Sequence, residues 1–340
     1  MKCVVLALVL HLCLAAGDDV DASQEIPLLS GESLVDYLRK NQDLFEVKSD
    51  RTPGLEFQIM NEKFINQGIN PVVKDDFNDT GDDIPESYDP RTIWTNCSSL
   101  FYIPDQANCA SCWAVSTAAA ISDRICIATK AEKQVQISAA DIISCCSNCG
   151  YGCGGGYPLE AWQFFMNEGV VSGGDYHSKD CCRPYPIHPC GHHENQTYYG
   201  ECHEFNIPAP PCRRICQAGF RKQYRLDKRY GKTAYRLPQS VTAIQRDILR
   251  HGPVVATYAL YADFDYYKSG IYKYTAGNLL GYHAVKMIGW GNENGTDYWL
   301  IANSLNTDWG EKGFFRIIRG INDCGIEEGV YAGLVDVDSL

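Results

Sequence analysis

The spacing of hydrophobic residues changes along this chain, and the change divides it. In "CWAVSTAAAISDRICIA", Ala114, Ala118, Ile121, Ile125 and Ala128 step by 4, 3, 4 and 3, the spacing of one buried helix face. Ser111 is its candidate N-cap, which puts Cys112 in the first helical turn. Downstream, "GPVVATYAL", "YHAVKMIGWG", "DYWLIANSL" and "GFFRIIRG" read as strands separated by Gly and Asn turns. Near the start, "SLVDYLRKNQDLF" carries Leu34, Tyr37, Leu38 and Phe45 near helical spacing, with Ser33 as a candidate cap. A helical front, a strand-rich back and chemistry between them predict an α+β fold in two lobes.

The first residues, "MKCVVLALVLHLCLAAG", combine a lysine, a short apolar run and small residues. They read as a signal peptide over 1–17, too short to span a bilayer. No other apolar run is long enough to cross a membrane. The chain holds 17 cysteines, a density that fits an oxidising route. Loss of Cys3 and Cys13 with the signal leaves an odd number, so at least one cysteine lacks an intramolecular partner. Residues 18–83 contain no cysteine, whereas residues 97–216 carry fourteen. The cysteine-free stretch also holds about −10 of the net charge of −12. It reads as a removable pro-segment, with the turn-rich "FNDTGDDIPESYDP" as its processing region, ending before Ile84 or Pro85. No basic face exists for nucleic acid. Asn78, Asn96, Asn195 and Asn294 head Asn-x-Ser/Thr triplets and are glycan candidates, with a cysteine in the middle position at Asn96.

In "NCASCWAV", Cys109 and Cys112 lie three positions apart. Cys112 can be read as half of a disulfide, as a redox partner of Cys109, or as a free nucleophile. No βαβ pattern supports the redox reading. A helix N-terminus supports the nucleophile, because unpaired N–H groups stabilise a thiolate and can cradle an oxyanion. His283 and Asn303 lie on adjacent predicted strands. A two-residue turn at Asn294-Gly295 would pair His283 with Asn306, whereas a loop over Gly291 to Gly295 would set it opposite Asn303. Base, orienter and nucleophile are the set that acyl transfer needs.

"DQANCASCWA" is similar to the active-site segment of papain-like cysteine proteases. "CCSNCGYGCGGGYP", "CCRPYPIHPCGHH", "GYHAVKMIGWG" and "NSLNTDWGEKGFFRI" resemble the cathepsin B branch over about 84–340. The resemblance implies a papain-like two-lobe fold, with a helical N-terminal lobe, a β-barrel-like C-terminal lobe and the active site between them. It implies Cys112 as nucleophile, His283 as acid/base, Asn303 as orienter and Gln106 as oxyanion donor. Gly155 and Gly156 match the backbone rail for extended substrates. The implied bridges are Cys97–Cys126, Cys109–Cys153, Cys145–Cys212, Cys146–Cys149, Cys182–Cys216 and Cys190–Cys202, leaving Cys112, Cys181 and Cys324 unpaired. No metal or cofactor is implied. The implied partners are protein and peptide substrates, the chain's own pro-segment and cystatin-type inhibitors, for a monomer in a lysosomal or extracellular setting.

The segment of about 190–202 matches the occluding loop of that branch, in which His192 and His193 would bind a substrate's terminal carboxylate. By this match Asp105 meets His192. Asp308 loses its usual arginine partner, because Tyr198 stands there, so one latch is expected to be missing. Leu305 replaces a tryptophan that roofs the His283–Asn303 contact, and Ala110 replaces a glycine. Gly329 replaces the glutamate that accepts arginine at the second residue before the cut. The expected activities are endopeptidase and dipeptide-releasing carboxypeptidase, made as an acid-activated zymogen. The alternative is a weakly active homologue that acts as a binding or decoy protein.

Overall fold

A computed structural model describes residues 27–65, 83–202 and 207–340. The leader and residues 77–82 of the processing region, Asn78 among them, lie outside these. Helix α1 (Gly31–Asn41) buries Leu34, Val35 and Leu38. Ser30, not Ser33, holds its N-cap position, and Ser33 Oγ donates to the Ser30 carbonyl at 2.7 Å. Phe45 falls outside the helix and opens strand β1 (Phe45–Val47). Helix α2 (Pro90–Ile93) is one turn capped by Asp89. Helix α3 (Cys112–Ala128) is buried on every side except at Ala128. The expected single stripe is therefore corrected, because neighbours pack all round this helix. Helices α4 (Ala139–Cys145) and α5 (Pro158–Asn167) pack on it.

The C-terminal lobe is built on β2 (Tyr235–Arg236), helix α6 (Val241–His251), β3 (Val254–Tyr261), β4 (Tyr267–Tyr272) and β5 (Leu279–Glu293). Strands β6 (Thr296–Ala302), β7 (Phe314–Ile318) and β8 (Gly329–Ala332) complete it. Eight strands form one mixed sheet in the order β1-β4-β7-β6-β5-β3-β8-β2. Among the described strands only β4 and β7 pair in parallel, and the N-terminal arm adds the edge strand β1 antiparallel to β4. The hairpin β5–β6 turns tightly at Asn294-Gly295, with φ +53° and +84°, and Glu293 pairs with Thr296. A bulge between Met287 and Gly289 then slips the register by one residue. The register of the expected two-residue turn thus holds as far as Gly289, but the bulge breaks it before His283, which pairs with neither Asn306 nor Asn303. The ladder ends at Ala302, and Asn303 reaches His283 from beyond it.

Two hydrophobic cores lie side by side. One fills the sheet and takes in α1 and α6. The other surrounds α3 and borrows Val255, Ala284 and Tyr331 from the sheet. Two buried ion pairs fasten α3 to the sheet lobe. Lys286 Nζ in β5 lies 2.7 Å from Asp123 Oδ2. Arg124 pairs with Asp247 of α6 and donates to the carbonyls of Pro253, Gly333 and Gly252 at 2.8–3.0 Å. Six disulfides staple the helical lobe and its loops: Cys97–Cys126, Cys109–Cys153, Cys145–Cys212, Cys146–Cys149, Cys182–Cys216 and Cys190–Cys202.

Removing one member of a buried pair strands the other charge, which costs about 3–5 kcal/mol. Lys286→Met is expected to lower stability by about that amount in chemical denaturation with disulfides intact. Adding Asp123→Leu should recover most of the loss. An unchanged midpoint in the single variant would contradict this role for the pair.

Candidate active site

Cys112 begins α3, so its N–H is one of the donors that a helix leaves unpaired in its first turn. The thiol is free and fully buried. The N–H groups of Ala284, Trp113 and Cys112 itself favour its thiolate, but burial outweighs them and pushes the thiol up to about 12. Since Ala284 follows His283 in β5, the sulfur sits beside the imidazole's own strand. His283 is also fully buried. Its Nε2 lies 2.9 Å from Asn303 Oδ1. That oxygen accepts the Ser304 N–H as well, so Nε2 carries the imidazole proton and Nδ1 is the bare nitrogen. Nδ1 has no hydrogen-bond partner among the described residues. Burial pulls the imidazole down to about 4, against the opposing bond to Asn303. Both groups are therefore neutral in this form of the protein.

Gln106 is fully buried beside them. Its Oε1 accepts from Ser304 Oγ at 2.6 Å, which turns Nε2 toward the cleft. There Nε2 donates to the backbone carbonyls of Gln58 at 2.7 Å and Cys109 at 2.8 Å. The N-terminal arm thus threads the cleft. Met60 exchanges two backbone hydrogen bonds with Tyr282, at 2.7 and 2.9 Å. Phe64 packs edge-on to Tyr151 and Tyr157. It lies against Gly155, where φ is +103° and an added Cβ would come within 2.4 Å of the Phe64 ring. Gly156 leaves room for the Trp113 ring. Upstream, Arg51 and the Thr52 N–H hold the buried Asp265 carboxylate.

The segment 190–202 is closed by its Cys190–Cys202 bridge and covers the arm at Gly54, where a Cβ would meet Cys202. His193, not His192, meets Asp105, with Nε2 3.3 Å from Oδ2. His193 Nδ1 lies 3.0 Å from Asp308, so the aspartate expected to lack a latch has one. The ring is small enough to stand between the two carboxylates. A second clasp is a reciprocal amide pair, Gln196 with Asn306, at 2.7 and 3.1 Å. His192 is 79% exposed, stacks on Tyr198 with centroids 4.2 Å apart, and has Glu201 3.8 Å away. Leu305 is buried and, with Asp308, Trp309, His193 and Pro53 of the arm, lines a cavity. Ala110 is buried next to Cys109. Asn96, Asn195 and Asn294 are exposed.

Gly329 lies in β8 opposite Thr257 and lines a cavity of about 350 Å³ with Tyr258, Cys324, Arg236 and Glu328. A Cβ on Gly329 would come within 2.1 Å of Thr257 Oγ1. Arg236, whose guanidinium donates to the Glu328 carbonyl, brings a cation to the rim. Sequence reasoning missed Thr257 and Arg236, which reach the site from other strands with no motif to mark them, and it missed Ser304, Gln196 and Asn306, which stand inside marked segments but whose partners lie far along the chain.

Three comparisons with known proteins bear on this geometry. The profile described as "Papain family cysteine protease" matches residues 84–334. The chain is 65% identical to "Cathepsin B-like cysteine proteinase 2" of Haemonchus contortus, over 100% of both chains. It is 43% identical to a "Gut-specific cysteine proteinase" of Caenorhabditis elegans, covering 94% of each. Among solved structures, "proCathepsin B S9 from Trypanosoma congolense" superposes with a TM-score of 0.76 at 32% identity, over 92% of this chain and 99% of that one.

The neutral pair carries a pH signature. With the thiol at about 12, about 10⁻⁵ of it is ionised at pH 7. Alkylation of Cys112 by iodoacetamide in the uncleaved protein should be slow at neutral pH and climb steadily into alkali. A plateau between pH 5 and 7 would contradict the burial argument.

Proposed function

The chain belongs to the papain family of cysteine proteases, in its cathepsin B-like branch and made as a proenzyme, and from that premise we propose how its residues act. Residues 1–17 are the signal peptide, 18–83 the removable pro-segment and 84–340 the mature peptidase. The disulfide-rich chain follows the secretory route to a lysosomal or extracellular site.

Release of the arm admits water to the cleft, and the burial that holds Cys112 and His283 neutral is relieved. The thiol pKa falls and the imidazole pKa rises, so the proton passes from Sγ to His283 Nδ1. The thiolate attacks the peptide carbonyl carbon. The oxygen takes the developing negative charge, with Gln106 Nε2 and the Cys112 N–H as donors. The imidazolium proton goes to the leaving amine, and an acyl-enzyme remains. Water then attacks the acyl carbon, giving a proton to His283, and the acid product leaves as Sγ is regenerated. Asn303 keeps the imidazole in the tautomer with Nδ1 free. The observation that carries this reading is the Gln58 carbonyl on Gln106 Nε2, a carbonyl oxygen in the position that a substrate oxyanion would need.

The arm inhibits because it runs the wrong way. From Gly54 under the 190–202 segment to Phe64 at Gly155, it passes from the leaving-group side to the acyl side, opposite to a substrate. His192 and His193 read a substrate's terminal carboxylate in the exit half of the cleft, which adds dipeptide-releasing carboxypeptidase activity to endopeptidase activity. Leu305 shapes the pocket just after the cut, and cystatin-type proteins would block the same cleft.

Gln106→Ala should lower kcat by about 10²-fold in the acid-activated enzyme. An unchanged kcat would remove Gln106 from the mechanism. For specificity, a blocked peptide with a free C-terminal carboxylate and its amidated twin can be compared by mass. Successive dipeptides are expected from the acid alone, and Asp308→Ala should raise internal cutting of the amide. Equal internal cuts in both by the parent enzyme would contradict a guarded cleft. At the Gly329 pocket, apolar residues should be preferred over arginine by roughly tenfold or more in kcat/KM, since Gly329 offers no carboxylate to a buried cation, Glu328 is exposed and Arg236 already places a positive charge at the rim. Gly329→Glu together with Thr257→Ala should reverse the order. Efficient cleavage after Arg-Arg by the parent enzyme would overturn the pocket assignment.

A further inference from the structure

Gln106 and Cys112 reach the reacting carbonyl from two separate stretches of chain, and something must fix one relative to the other. Gln106 precedes Ala107, whose φ of +53° is a costly conformation for a residue with a side chain. Asp105 Oδ1 helps to hold it by accepting the Ala107 N–H at 2.6 Å. Ser111 occupies the N-cap position of α3 but makes no capping bond with its side chain. Its hydroxyl instead lies 2.7 Å from Tyr185 Oη. The same phenol donates to the Gln106 backbone carbonyl at 2.7 Å. Because the phenol proton is committed to that carbonyl, Ser111 is the donor to Tyr185. Tyr185 is 7% exposed overall and burial holds its hydroxyl well above the ordinary phenol range, so it stays protonated.

We propose that Tyr185 is the positioning residue of the oxyanion hole, one hydroxyl fixing the strand of Gln106 to the helix start that presents the Cys112 N–H. This rests on the roles proposed for Gln106 and Cys112. Tyr185 touches no reacting atom and acts through its two neighbours.

The test is Tyr185→Phe in the acid-activated enzyme, with three readouts. Turnover of a fluorogenic peptide should lose roughly tenfold in kcat with KM nearly unchanged, less than the 10²–10³ that loss of an oxyanion donor costs. A peptide nitrile adds Sγ to its carbon and the thiol proton to its nitrogen, giving a thioimidate whose nitrogen occupies the oxyanion position. Its inhibition constant should rise about as much as kcat falls. Alkylation by iodoacetamide, a displacement of iodide that needs no oxyanion donor, should keep its rate and pH profile. If Tyr185→Phe does not fold, Ser111→Ala carries the test, with a nitrile effect of about threefold expected from loss of one hydrogen bond. Equal losses in nitrile binding and alkylation would mean that the start of α3 is merely disordered, and no loss in either would mean that the phenol only packs. Each result overturns the proposal. Failure of the parent enzyme to cleave peptides would instead count against the proposed function, since the nitrile and alkylation readouts do not depend on turnover.

Discussion

The site depends on the seam between α3 and β5. The proposed nucleophile, Cys112, opens a helix packed in one hydrophobic core, while the proposed base, His283, sits on a strand whose Val285 and Met287 belong to the other, and only a rigid seam keeps the two within reach. Apolar packing alone would let the helix slide, because it is non-directional. The buried Lys286–Asp123 pair and the Arg124–Asp247 pair, with its ring of carbonyl acceptors, fix direction. An unpaired charge in that seam is too costly for another register to compete. Cys109–Cys153 then holds the turn just ahead of Cys112, and the hydrogen bonds from Asn303 through Ser304 to Gln106 run along the far wall.

The same seam underlies the inhibition we propose for the uncleaved protein. Its cleft is filled by its own chain, which excludes water and leaves the thiol at about 12 and the imidazole at about 4. Each shift has burial as its largest cause. An ion pair in that dry cleft would face a desolvation cost greater than its attraction. The proposed inhibition therefore works through both occupancy and protonation state: Gln58 satisfies the donor on Gln106 while the arm keeps both proposed reacting groups uncharged.

Much of this was legible in the sequence where local chemistry repeats. The stripe through Ala114, Ala118, Ile121 and Ile125 located α3, and the apolar runs located β3, β5, β6 and β7. Cys112, His283, Asn303 and Gln106 came from motifs in order along the chain, and the structure gathers them around one cleft. Long-range geometry was less legible. The β5–β6 register failed because a bulge cannot be read from alternation, and Asn303 acts from outside the ladder. His193 took the contact assigned to His192, because the choice between adjacent loop histidines is set by the path of the loop and the arm beneath it. Thr257 and Arg236 at the Gly329 pocket come from other strands and leave no local trace.

The central claim is that Cys112 is the nucleophile and that its own N-terminal arm silences it. A thiol-directed peptidyl epoxide, applied before and after acid activation and followed by peptide mapping, tests both halves at once. The account predicts one label per activated molecule, on Cys112, and almost none before activation. Equal labelling of Cys112 in both forms would contradict the silencing, and labelling of Cys181 or Cys324 instead would contradict the nucleophile.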